Sequence, residues 1–305
     1  MVELVDTLVL GTSGASREGS SPSSPTKIKM KKLKKALRYG LYSSMAILGI
    51  WILLITLRTP SHDRDWKMEH ILLPYAEISD DSVTIYNVRD FEYYGENNEP
   101  IPFYYDTTVN LDQVEGVDFI ISYFSEYKGI AHTFLSFRIK DTDPIAISIE
   151  ARREKGEEYS PLKGLLRNFE EMYVIGDERD LIGLRTHIRK EEVYIFPGNA
   201  TPEKAKELFV SMIEKATYLK ENPKFYNTLT SQCTNELARH VEEVSGKDIP
   251  FSYKLLLPGY ADEFAYDLGF IGNEEITLEQ LKAKHQVNPE NTEIEDENFS
   301  EKIRN

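Results

Sequence analysis

HTFLSFRI (132–139) and PIAISIEAR (144–152), separated by the polar tetrapeptide KDTD (140–143), decide the fold. Both runs are rich in β-branched and aromatic residues, which suit a pleated, half-buried surface. KDTD offers the residues of a tight turn, so the two runs are expected to be adjacent antiparallel strands. Along the second strand, Ile145, Ile147 and Ile149 share one face, and Ser148, Glu150 and Arg152 share the other. Further strand candidates lie on both sides of this pair: SVTIYNV (82–88), FYYDTTVNL (103–111), VDFIISYF (117–124) and EEVYIFP (191–197). In the first, the alternation of Val83 and Ile85 is less clean at Asn87.

Helices follow the strands. Thr201-Pro202 is an N-cap with proline at the first helical position. Ala205, Leu208, Phe209, Met212, Ile213 and Ala216 then recur at helical spacing. A second helix is expected from near Thr230 to about Glu243, with Cys233, Leu237, Val241 and Val244 as its apolar line and His240 beside it. Residues 272–305 carry 9 acidic and 4 basic side chains and little apolar period. They read as a mobile acidic tail with a short helix at Thr277–His285. Strands and helices in this arrangement make an α+β domain over residues 60–271.

Charge divides the chain. Residues 1–57 hold 8 of the 36 basic and 3 of the 51 acidic side chains, which leaves the remainder at −20. So acidic a body argues against a nucleic-acid partner. Seven positive charges crowd residues 27–38, and Tyr39–Leu57 follows without a formal charge. Nineteen such residues form a helix of about 28 Å, close to the thickness of a bilayer's hydrocarbon core. The positive-inside rule places the N-terminus in the cytoplasm and the acidic body outside. A cleaved signal peptide is the rival reading, but no A-x-A site follows the apolar run. Residues 1–38 are expected to be a disordered basic cytoplasmic segment. Within it, residues 1–29 resemble the conceptual translation of a transfer-RNA gene, and a start at Met30 gives an ordinary basic and apolar leader.

Cys233 is the single cysteine, which excludes an intrachain disulfide framework and a zinc site with two thiolates. In the first turn of a helix its thiol gains from the helix amides, which stabilise a thiolate. From position alone it is either a reactive thiol or a small core residue. His132 opens a strand and is the best-placed imidazole to reach a helix N-terminus. His240 sits about two helical turns from Cys233, too far for direct contact. Glu150 is the lone carboxylate within its strand, and could orient an imidazole or pair with Arg152 and Arg153. No metal site or cofactor is indicated, since HExxH, EF-hand and phosphate-loop patterns are lacking.

Six segments together resemble one family: SHDRDWKMEH (61–70), VTIYNVRDFEY (83–93), GIAHTFLSF (129–137), ISIEARREKGE (147–157), YNTLTSQCTNEL (226–237) and LLPGYADEFAYDLGFI (256–271). The chain is similar to the Lnb N-terminal periplasmic domain family, long catalogued as a domain of unknown function. That resemblance implies a circularly permuted papain-like fold, like that of lecithin retinol acyltransferase and NlpC-type amidases, with the histidine strand before the cysteine helix. It implies Cys233 as nucleophile and His132 as its base, Glu150 as the third polar member, and Tyr226 and Asn227 lining the substrate site. It also implies an acyltransferase or acyl hydrolase at the inner membrane, acting on a lipid-linked or peptide acyl substrate such as a lipoprotein. The chain has one apolar helix where the family's namesake has more membrane-spanning segments. A cell-wall amidase or peptidase on the same dyad, and a non-catalytic membrane-tethered binding module, remain as alternatives.

Overall fold

A computed structural model describes residues 25–94 and 99–304, in two compact units parted between Leu57 and Arg58. The first unit is one helix, α1 (Pro25–Thr56). Within it, Met30–Thr56 is long and apolar enough to cross a membrane, with a mean hydropathy of 1.7 in its best window. The basic residues up to Arg38 were expected to be disordered, yet they belong to this same helix. Lys, Leu and Ala are good helix formers, and no proline interrupts them, so the helix of the apolar run propagates back through the basic one. What was expected of residues 1–24 lies outside the described residues.

The second unit is a mixed α+β domain. Its strands are β1 (Tyr75–Ile78), β2 (Ser82–Arg89), β3 (Glu92–Tyr94), β4 (Glu99–Ile101), β5 (Tyr104–Asn110), β6 (Val114–Tyr123), β7 (His132–Ile139), β8 (Ile145–Arg152), β9 (Glu170–Asp177) and β10 (Glu192–Pro197). Its helices are α2 (Pro161–Leu165), α3 (Glu178–Gly183), α4 (Pro202–Glu221), α5 (Cys233–Ser245), α6 (Tyr253–Leu256), α7 (Ala261–Asp267), α8 (Leu278–His285) and α9 (Phe299–Lys302). The main sheet runs β1-β2-β9-β8-β7-β6-β10, with β5 also paired to β2.

The central hairpin is β7–β8. Phe134 pairs with Ser148, Leu135 with Ile147 and Phe137 with Ile145. Asp141 turns the chain with φ 60°, a left-handed conformation that Asp tolerates. The irregular alternation at Asn87 has a similar cause. Asn87 has φ 62° at a register shift between Ile85 and Val88, and its side-chain amide donates to the carbonyl of Leu73 at 3.0 Å. β9 has no counterpart among the strands expected from sequence, yet it sits between β2 and β8.

The two faces of the sheet are covered differently. Leu135, Phe137, Ile145, Ile147 and Ile149 pack against α4 and α5, and Cys233 and Leu237 belong to that core. On the opposite face Ile120, Phe134, Ala146 and Val174 pack with α3 and with Val287, Phe299 and Ile303 near the C-terminus. The acidic C-terminal segment is therefore part of the body rather than a mobile tail. His187 Nε2 meets the carbonyls of Pro289 and Thr292 at 3.1 and 2.8 Å. Arg304 donates to Asp118 at 2.8 Å and to Glu178 at 2.7 Å, so its charge is matched by buried carboxylates.

A strap, residues 58–71, crosses one end of β8 and β9. Arg58 donates to Asn168 Oδ1 at 3.1 Å, the Ser61 amide to Glu170 at 2.6 Å, and Arg64 to Glu154 at 2.7 Å. Arg152 of β8 lies over the Trp66 ring, 4.1 Å from its centroid, and donates to the carbonyls of His70 and Ile71 at 2.9 Å each.

Candidate active site

The site forms where the sheet meets the start of α5. Before the helix, residues 227–231 make a tight turn. The side-chain oxygen of Asn227 accepts from the amides of Leu229 and Thr230 at 2.9 and 3.1 Å, and its carbonyl accepts from Ser231 at 2.9 Å. This turn delays the helix to Cys233, three residues later than the start suggested near Thr230. Gln232 is the cap position, but its side chain is directed elsewhere and donates to the carbonyl of Leu255 at 2.6 Å. The first intrahelical bond runs from the Glu236 amide to the Gln232 carbonyl at 3.0 Å. The amides of Cys233, Thr234 and Asn235 thus have no helical carbonyl to donate to, and they gather the positive end of the helix dipole at the sulfur. Gly246, with φ 65°, closes the other end of the helix.

β7 and β8 supply the facing groups. His132 and Glu150 lie opposite one another on the same sheet face, two residues beyond the Phe134–Ser148 pair. His132 Nε2 lies 3.2 Å from Glu150 Oε1 and 2.7 Å from the Ser148 hydroxyl, which itself donates to Glu150 at 2.8 Å. With Nε2 so engaged, Nδ1 is the nitrogen left toward Cys233, whose thiolate the imidazole stabilises. Arg185 closes the cluster from behind, donating to Glu150 at 2.9 Å and stacking 4.7 Å from the Phe134 ring. It stands in a π-turn (Leu184–Ile188), a local irregularity that redirects its side chain toward the sheet.

These contacts set the charges. Burial favours neutral His132, but the Glu150 carboxylate and then the Cys233 thiolate outweigh it, raising its pKa to about 9. Burial likewise favours the neutral thiol of Cys233. The His132 charge and hydrogen bond outweigh this, with help from Thr133, and lower the thiol to about 7 from its usual 9. Glu150 stays ionised well below the ordinary range: burial opposes this, but His132, Arg185 and Ser148 all favour the carboxylate. The arrangement therefore favours a thiolate–imidazolium pair near neutral pH.

Tyr226 is buried beside this cluster, with its hydroxyl 3.2 Å from that of Tyr159. Burial and the nearby Cys233 charge both raise its pKa. Asn227 is occupied in shaping the turn before α5. That turn is held in close contact with α2: a Cβ at Gly164 would meet Thr228 Oγ1 at 2.3 Å. His240, also buried, lies away from the sulfur between Tyr173 and Ser211, each at 2.7 Å. Among the described residues no group of three or more His, Cys, Asp or Glu side chains is placed to hold a metal.

The sequence profile of the Lnb N-terminal periplasmic domain matches residues 103–259, more than half of the chain. The chain belongs to the Lnb N-terminal periplasmic domain family. The match extends from just before β5 to just beyond α6, and so contains His132, Glu150, Arg185 and Cys233. Nothing among curated proteins or solved structures matches the chain. This Lnb N-terminal domain is accompanied by one N-terminal helix able to cross a membrane by length and composition.

Two members of the cluster had no signal in the sequence of this Lnb N-terminal domain. Arg185 lies in RTHIRKE, among charges that read as a solvated stretch, and only the tertiary fold turns it inward. Tyr159 follows a loop with no period at all. Ser148, by contrast, shares the Glu150 face by simple alternation.

Proposed function

We propose that the protein is a membrane-anchored, periplasmic cysteine acyltransferase or acyl hydrolase, with a fold of the permuted papain-like kind. The observation that carries this reading is the convergence of Cys233, His132 and Glu150, in a geometry that favours a thiolate at neutral pH. A nucleophile, a base in contact with it and a carboxylate orienting that base are the parts of an acyl-transfer site.

In the reaction the Cys233 thiolate attacks the carbonyl carbon of an ester or amide. Amides at the start of α5 receive the developing oxyanion. The intermediate collapses as the carbon–oxygen or carbon–nitrogen bond breaks, and the His132 imidazolium gives its proton to the leaving alcohol or amine. This leaves an acyl thioester and a neutral imidazole. His132 then takes a proton from an incoming amine or water, which attacks the thioester and releases Cys233 as thiolate. Glu150 holds Nε2 throughout and balances the imidazolium. Leu162 and Leu229, exposed beside the Pro161–Thr228 contact, give the rim an apolar character suited to a lipid-linked substrate. Anchoring by α1, with its basic end in the cytoplasm, would hold the domain next to such substrates.

The test is the pH dependence of Cys233 alkylation by iodoacetamide in the folded protein. The expected curve rises with a midpoint near pH 7, and His132→Ala moves it upward. A thiol with an ordinary midpoint, indifferent to His132, would overturn the reading. An aryl ester added to the enzyme should give a stoichiometric burst of alcohol with a thioester on Cys233.

A further inference from the structure

Along α5 runs a cavity of about 370 Å³ that the acyl-transfer chemistry leaves unused. Its size is at the lower end of the roughly 300–1,000 Å³ typical of small-molecule sites. It is elongated: α5 borders it from Thr234 to Ser245, eleven steps of helix or about 16 Å. Leu135 of the sheet, Leu237 and Val241 of α5, Phe264 of α7 and Leu268 just after it make its walls apolar. The space exists because Ala238 of α5 and Ala265 of α7 line it where larger side chains would fill it. Such a space is poorly suited to water and well suited to hydrocarbon.

Its near end adjoins Cys233. Thr234, the next residue, lines it, and Leu237, one turn along, shares both the cavity wall and the Cys233 core. Thr133 and Thr234 bridge the two regions: their hydroxyls lie 3.2 Å apart, and the Thr234 hydroxyl lies 3.9 Å from the Cys233 sulfur. Lys204 also borders the far end, but its ammonium is already engaged by the Val244 carbonyl and Glu207 at 2.7 Å each, so it is matched within the protein.

We infer that this groove takes a single linear hydrocarbon chain, the tail of the acyl group carried on Cys233. The carbonyl lies at the Thr133–Thr234 end, and the terminal methyl lies toward Val244 and α7. The inference rests on Cys233 being the acyl carrier, and it adds that chain length is read by the α5–α7 gap. It also predicts a preference for straight over branched chains, because the cavity is long and bounded by helix and sheet.

The experiment is photolabelling of the full chain in detergent micelles with a palmitate analogue bearing a diazirine at its terminal carbon, followed by peptide mapping. Labels are expected on the second half of α5 and on α7, with Cys233→Ala retaining them. Ala238→Phe should cut labelling about tenfold or more, since even one methylene in an apolar pocket is worth that much. Val241→Phe serves as a second filling variant, and an unchanged Cys233 alkylation profile certifies that either variant is folded. Label confined to α1, label at the Thr234 end, or label unaffected in both folded variants would overturn the inference. Groove labelling without any ester burst would instead remove Cys233 as the carrier and leave a hydrocarbon site unconnected to chemistry, which also overturns it. A burst with short aryl esters but no groove label would leave the acyl-transfer reading standing and refute only the groove.

Discussion

Two imidazoles, one half-buried and one buried, stand along the same helix in opposite electrostatic settings. His132 faces the start of α5, and His240 lies two turns along it. Each is hydrogen-bonded to a serine hydroxyl at 2.7 Å. For both, burial disfavours the cation, but the charged neighbours differ. Around His132 the Glu150 and Cys233 charges prevail and raise the pKa to about 9. Around His240 burial is followed by Lys215 and Arg239, which add to the cost of a proton and lower it to about 4. The lesson is that the sign of the charge beside a histidine, more than its hydroxyl partner, decides whether it holds a proton near neutral pH.

The comparison breaks most directly at His132. His132→Ala should slow acyl transfer by about 10²–10⁴-fold, as expected for loss of a general base. His240→Ala should leave turnover nearly unchanged. Its cost falls on stability instead, about 2 kcal/mol in denaturant unfolding, because the hydroxyls of Tyr173 and Ser211 lose a buried partner. If His240→Ala moved the pH–rate profile as far as His132→Ala, the contrast between the two sites would collapse. The same contrast appears in acid. His240 is neutral in the fold, so the unfolded chain takes up its proton first. The stability this gives above about pH 6.5 should be lost as pH falls through about 4. His70 reinforces the trend, with its pKa lowered to about 3 mainly by burial.

A finer probe is Glu150→Gln, which keeps the shape and removes the charge. The His132 pKa should fall, and the midpoint of Cys233 alkylation should rise by about one unit, worth about 1.4 kcal/mol. The smallest effect on acyl transfer is expected at Glu171, buried on β9 near Glu236 of α5, where the change falls on stability. Its pKa is raised to about 7, by burial first and by the Glu236 charge second. A raised carboxyl favours the fold at low pH and loses that advantage as pH rises from about 4.5 through 7. Glu171→Gln should therefore raise the melting temperature slightly above pH 7, and leave it nearly unchanged near pH 5.

Much of this contrast was legible in the sequence, and for a local reason. Once KDTD is read as a turn, the two strands are neighbours, and alternation puts Glu150 with Ser148 on one face and the isoleucines on the other. The register that sets Glu150 opposite His132 is one residue off the KDTD turn and is seen only in the structure. The seven-residue spacing from Cys233 to His240 likewise keeps His240 away from the sulfur. What escaped was non-local. β9 pairs with β8 and touches β2, and nothing in its own residues names those neighbours. Arg185 is distinguished from other arginines only by what a π-turn brings it against. The C-terminal segment was misread because its buried anchors, Leu281, Val287, Phe299 and Ile303, are scattered over two short helices and the coil around them and so show no period.

The strap over Trp66 also has a mechanical side. A pull on residue 58 does not reach β8 directly. It is met first by Asn168, then by Glu170 and Glu154, and only afterwards by the Arg152–Trp66 stack, two residues from Glu150 along β8. The strap is thus fastened in series, and a load applied at residue 58 would meet several contacts, buried Glu170 among them, before it met β8.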